Sequence, residues 1–181
     1  MNVEDFGSLE ELKGRTFPDP ILTKVCSEVS LEGNLDWLEK LALRMIYTMI
    51  RSKGVGLAAP QVGEAIRLFV VDVDWVVDLN QANPIVCVNP SWTPIGDEKV
   101  EGIEGCLSFP GEERTISRYM SVHLKAHDAQ GAPYEMDAHG VLARVIQHES
   151  DHLEGKTFGS GLSWLKRKEL AKKLTKASHI W

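Results

Sequence analysis

Residues 147–155 read Gln-His-Glu-Ser-Asp-His-Leu-Glu-Gly, or QHESDHLEG. Positions four apart share one face of a helix, so His148 and His152 would aim at the same point, with Glu149 beside them. In this spacing a helix can hold a metal through two imidazoles while the carboxylate works on a nearby water. The same face continues backwards through Val145 and Val141, an apolar wall suited to an apolar substrate group or simply to the core. A chance HExxH string on a polar helix, its histidines hydrogen-bonded in the core, is the plainer alternative. A third ligand would separate the two, because two imidazoles hold a metal too weakly for most enzymes.

Three sources of that ligand are open. The metzincin pattern HExxHxxGxxH is matched as far as Gly155, but Phe158 stands where its third histidine belongs, and a phenyl ring cannot ligate. Thermolysin-like proteases place a glutamate well past the second histidine. Glu169 lies 17 residues past His152, though in a lysine-rich segment that reads as a separate exposed helix. The third source is Cys106, in the Gly-flanked loop EGIEGCLSFPG (101–111). A thiolate is a strong ligand for a transition metal and combines readily with imidazoles. A buried apolar thiol is its alternative, as it is for Cys26 and Cys87. Donor chemistry alone leaves the choice open.

Elements must bring these residues together. Apolar residues at helical spacing predict a helix over 36–52, capped by Asn34 or Asp36 and ended at Gly54. A glycine-rich turn, GVGLAAPQVG (54–63), leads into a buried strand at 67–73. Short strands are expected at 85–89, 95–101 and 118–127, the last turning into a hairpin through DAQGAPYEMD. Helices follow at 140–153, carrying the histidines, and at 163–177. This order predicts an α+β fold, with antiparallel strands packed around a central metal-binding helix and a further helix at the C-terminus. Without repeats, low-complexity runs or linkers, residues 1–181 should form one catalytic domain, with a lead at 1–17 and a basic helix at 163–181.

The totals exclude several classes. With 181 residues, 43% hydrophobic and 25% charged, the chain resembles an average globular protein and can bury a core without disulfides. Three cysteines are too few and odd in number for a disulfide framework, which points to free thiols in a reducing compartment. The acidic start, MNVEDFGSLEELKG, has no apolar run, and LFVVDVDWVV is too short and too charged to span a membrane. The expected location is the cytoplasm, with neither membrane nor DNA as partner. A net charge of −6 argues against general nucleic-acid binding, yet it is unevenly spread. From Leu165 to Trp181 six of the 20 basic residues meet one of the 26 acidic residues, leaving 14 against 25 upstream. Such a basic helix could meet anionic RNA; a solvated lysine face is the plainer alternative.

GVGLAAPQVG, EGCLS and QHESDHLEG, in this order, resemble the three signature motifs of the peptide deformylase family. The likeness extends from PDPILTKVCSEV (18–29) to LSWLKRKELAKKL (162–174). It implies a hydrolase that removes the N-formyl group from the N-terminal formylmethionine of new polypeptides and releases formate. It also implies Cys106 as the third ligand beside His148 and His152. The expected ion is ferrous iron, although zinc, nickel or cobalt suit the same donors. Glu149 becomes the proton carrier, while the Gln61 side chain and the Leu107 backbone N–H meet the oxyanion. The plainer alternative for Gln61 is that it merely ties down its turn. Gly56 would let substrate backbone approach, and Val141 and Val145 would line a methionine pocket. One of Arg114 and Arg118 would orient the substrate or pair with Asp151; Arg114 is assigned to substrate, with a surface role as its plainer alternative. The resemblance further suggests ribosome contact through the basic helix. Departures are few: Ser150 stands where the family carries a larger residue, and the lead before PDPIL is longer. Two other functions compete, a metalloprotease cutting internal peptide bonds and an inactive module docking on ribosomes. The absent metzincin histidine weighs against the first, the intact Glu149 and Gln61 against the second.

Overall fold

The computed structural model of the chain describes residues 9–74 and 82–177. The start of the N-terminal lead, the end of the LFVVDVDWVV run and the last four residues lie outside them. Among the described residues the main sheet contains β1 (Gly56–Ala58), β2 (Leu68–Val71) and β3 (Ile85–Pro94). It is completed by β6 (Ser121–His127) and β7 (Pro133–His139). These strands are antiparallel in the order β1-β2-β3-β6-β7. A separate antiparallel pair is formed by β4 (Lys99–Gly105) and β5 (Glu113–Tyr119). The helices are α1 (Leu35–Arg51), α2 (Gly140–Leu153) and α3 (Trp164–Ala177). The α+β fold read from the sequence is the one observed, and α2 packs against strands of both sheets.

Two apolar layers meet at β2. Phe69 and Val71 join Val145, Ile146 and Leu153 of α2 in one cluster. Leu68 and Val70 join Leu38, Met45 and Met49 of α1 in another. A strand covered on both faces needs apolar residues at every position, which is why LFVV shows no alternation. By contrast β6 buries Val122, Leu124 and Ala126 and leaves Lys125 on the outer face, so it alternates. A third cluster brings Phe17 and Phe109 together with Leu170 and Leu174 of α3.

Several boundaries differ from the sequence reading. Asn34 occupies the N-cap position of α1 without a side-chain cap bond; its amide instead donates to the carbonyls of Ser30 and Glu32. Lys53, not Gly54, takes the left-handed turn after α1, at φ 58°. A Cβ at Gly54 would lie 2.8 Å from Leu107 Cδ1, so a side chain there would press on Leu107. The glycine-rich turn contains β1. The strand expected at 95–101 is instead the turn after β3 followed by β4, and the one expected at 118–127 is divided at Met120 into β5 and β6. Pairing partners distant in sequence set these limits, and local periodicity does not register them.

Candidate metal centre

α2 presents His148 and His152 on one face, as the four-residue spacing requires. The cysteine arrives from elsewhere: β4 ends at Gly105 and places Cys106 against the helix. Cys106 Sγ lies 3.3 Å from His152 Nε2. Among the described residues, Cys106, His148 and His152 form one group of possible metal donors, with ligand atoms all within 4.8 Å of one another. Glu169 sits exposed on α3, outside this group. The donor set fits a divalent transition metal of intermediate softness.

The surroundings orient the donors. His148 Nδ1 is 2.8 Å from Glu104 Oε2, which leaves Nε2 as the ring nitrogen available to a metal. Glu104 also receives a bidentate pair from Arg118, Nε to Oε1 and Nη2 to Oε2, both at 3.0 Å. Burial alone would raise the Glu104 carboxyl, but the hydrogen bonds of His148 and Arg118 outweigh it and hold the group down at about 2. Burial likewise would lower His148, yet its hydrogen bonds with Cys106 and Glu104 raise it well above its ordinary value. Burial, with the charges of His148 and Arg118, pushes His152 well below it. Arg118 also reaches Asp151 on α2, so the pairing expected of one of the two arginines belongs to Arg118.

Glu149 is 3% exposed, and its Oε2 is buried without a hydrogen-bond partner among the described residues. Burial raises this carboxyl to about 7, with Glu104 and Asp151 adding to the rise against the opposing charges of His148 and Arg118. Space for it is made by Gly56: a Cβ there would fall on Glu149 Oε1 and lie 2.8 Å from Val145 Cγ1. The missing side chain of Gly56 thus accommodates the carboxylate, a role the sequence reading did not foresee.

Gln61 is buried in the short helical turn after β1 and does two things at once. Its Oε1 accepts the Ala58 N–H at 2.8 Å, tying down the turn. Its Nε2 donates to Ser108 Oγ at 3.2 Å and lies 3.6 Å from Cys106 Sγ. Gly56, Gln61, Cys106, Leu107, His148 and Glu149 all line one cavity of about 660 Å³. Val145 forms part of its wall and of the core, while Val141, 65% exposed, stands at its mouth. Arg114 does not line it; this side chain donates to Glu112 and to the Glu113 carbonyl. The sequence reading missed Glu104 and Ser108, although both flank Cys106 within its motif. A carboxylate two residues from a candidate ligand was the available signal for Glu104.

Known proteins with these features are numerous. The polypeptide deformylase family model matches residues 13–168. A peptide deformylase of Chromohalobacter salexigens is 43% identical over 160 residues, covering 88% of this chain and 91% of that protein. One from Pseudomonas aeruginosa is 40% identical, covering 88% and 92%. Among solved structures, a peptide deformylase from Legionella pneumophila superposes with a TM-score of 0.79 at 39% identity, covering 94% of this chain and 97% of that one. One from Ehrlichia chaffeensis in complex with actinonin gives 0.82 at 34% identity, covering 94% and 99%. In sequence and in fold, the chain belongs to the polypeptide deformylase family.

Proposed function

We propose that Cys106, His148 and His152 hold one divalent transition metal, and that Glu149, Gln61 and Leu107 act on the substrate in the family's reaction. That reaction removes the N-formyl group from the formylmethionine of new polypeptides, a hydrolysis of a linear amide that releases formate. One observation carries the residue assignment: a buried carboxylate with an unpartnered oxygen stands beside three clustered metal donors.

When bound there, a divalent metal supplies a Lewis acid and brings the ionisation of water near neutral pH. Glu149 takes the proton of the attacking water and returns it to the methionine amine as the C–N bond breaks. Negative charge develops on the formyl oxygen, and we assign the Gln61 side-chain N–H and the Leu107 backbone N–H to meet it. Loss of one such donor typically costs about 10²–10³ in rate. Val141 and Val145 border the space assigned to the methionine side chain, beside Gly56. Arg114 does not line the cavity, and we assign it to the polypeptide beyond the methionine.

Ferrous iron is the ion we infer, with zinc, nickel or cobalt compatible with the same donors. An iron-bound thiolate oxidises readily, so the native ion should survive only anaerobic handling. We also infer one catalytic domain, since α2 packs against both sheets. Cytoplasmic location is inferred from three unpaired cysteines; none of the described helices is long and apolar enough to cross a membrane. Ribosome contact is assigned to the exposed basic side chains of α3, among them Lys166, Arg167, Lys168 and Lys172.

The deciding experiment measures formate from formyl-Met-Ala-Ser with anaerobically purified protein, and metal content on the same sample. Formate with about one metal per chain, and no hydrolysis of acetyl-Met-Ala-Ser, is expected. A full metal site that releases no formate would overturn the activity and favour the inactive docking module. Cleavage between the residues of either peptide would favour the metalloprotease.

A further inference from the structure

We propose that Arg144 is a positioning residue for the metal donors, locking the strand that ends at Cys106 to the helix that carries His148 and His152. The inference rests on the ligand assignment above. Arg144 lies on α2, four residues before His148. Its Nη1 donates to Glu104 Oε1 and to the Ile116 carbonyl, each at 2.8 Å, and its Nη2 donates to the Val100 carbonyl at 2.6 Å. One guanidinium therefore grips β4, β5 and the carboxylate that orients His148. A planar fork of fixed donors suits three such acceptors in a way that an ammonium does not.

Gly102 makes the clamp possible. It pairs with Ile116 across β4 and β5, and a Cβ there would lie 2.7 Å from Arg144 Cζ and 2.8 Å from Nη2. Its side-chain space is taken by the guanidinium, much as that of Gly56 is taken by Glu149. Arg144 borders the cavity, yet both of its Nη atoms donate to protein acceptors and its charge is paired with Glu104, so it is assigned to the protein rather than to substrate. Its duty is distinct from that of Arg118. Without Arg144, Glu104 keeps its bidentate partner and its charge stays paired. What is lost is the tie from α2 to the Val100 and Ile116 carbonyls of β4 and β5. The contacts of Arg118 with Asp151 and of Glu104 with His148 remain, but the strand leading to Cys106 is held less firmly against the histidines.

A clamp that only stabilised the fold would lower the unfolding midpoint without changing the donor set. Cobalt separates the two cases. Wild type, Arg144→Met, Arg144→Lys and Gly102→Ala would be loaded with Co²⁺ anaerobically. The thiolate-to-cobalt charge-transfer band and the rate of stripping by a chelator are then recorded. Arg144→Met and Gly102→Ala should lose cobalt roughly 10–100 times faster than wild type and show a shifted band, and Arg144→Lys should not restore the wild-type rate. Wild-type band and release rate in Arg144→Met and Gly102→Ala would overturn the clamp, whatever their midpoints. Cobalt uptake with an unchanged thiolate band in Cys106→Ala would instead overturn the ligand assignment on which the clamp depends.

Discussion

Removing Cys106 and removing Glu149 should fail in different ways, because the first is assigned as a donor to the ion and the second only faces it. Glu149→Ala is expected to keep about one metal per chain and lose about 10²–10⁴ in formate release. Cys106→Ala should lose the metal itself, so elemental analysis beside the formate assay tells them apart. Gly56→Ala pushes a methyl group onto the Glu149 carboxylate; with the metal retained, the displaced base should cost about 10²-fold in kcat/KM. The same carboxylate has a stability cost in chelator-stripped protein. Burial raises it to about 7 from an ordinary 4.5, so between those values the folded state holds a proton that the unfolded chain has released. Stability from this group is therefore lost as pH rises through that window. Glu149→Gln should unfold at higher urea than stripped wild type at pH 8, by on the order of 3 kcal/mol, and the two should converge below pH 4.

At the scale of elements, α3 is more than a basic appendage. Leu170 and Leu174 are buried with Phe17 and Phe109, and Phe109 stacks on Phe17 with ring centroids 5.1 Å apart. Lys173 pairs with Glu112, which borders the cavity. The helix thus braces the loop just beyond Cys106. Leu174→Ala should cost about 2–5 kcal/mol in urea unfolding and leave less metal bound per chain. An unchanged midpoint would mean that α3 is independent of the loop. Truncation before α3 would open this cluster, which makes it a poor probe of the helix's charge.

Across the whole molecule, a basic helix is attached to an acidic body, and phosphate contacts should make any RNA association salt-dependent. Reversing Lys166, Lys168 and Lys172 to glutamate leaves Leu170 and Leu174 in place. Such a variant should release formate at the wild-type rate but co-sediment less with ribosomes at low salt. Equal sedimentation at every salt concentration would remove the basic face from consideration.

The α2 boundaries, Gly140–Leu153, and the shared face of His148 and His152 were legible in the chain, since helical spacing needs only neighbours a few residues away. The motif around Cys106 was legible by resemblance, whereas donor chemistry left Glu169 as an alternative. What only the tertiary structure decided is which distant residues meet: Cys106 against His152, Glu104 beneath His148, Ser108 on the Gln61 amide. It also decided why Gly56 is a glycine, with Glu149 filling the space a side chain would take. Strand limits such as the break at Met120 belong with these. Periodicity is written into local sequence, but pairing and close approach depend on elements far apart in the chain, and only folding brings them together.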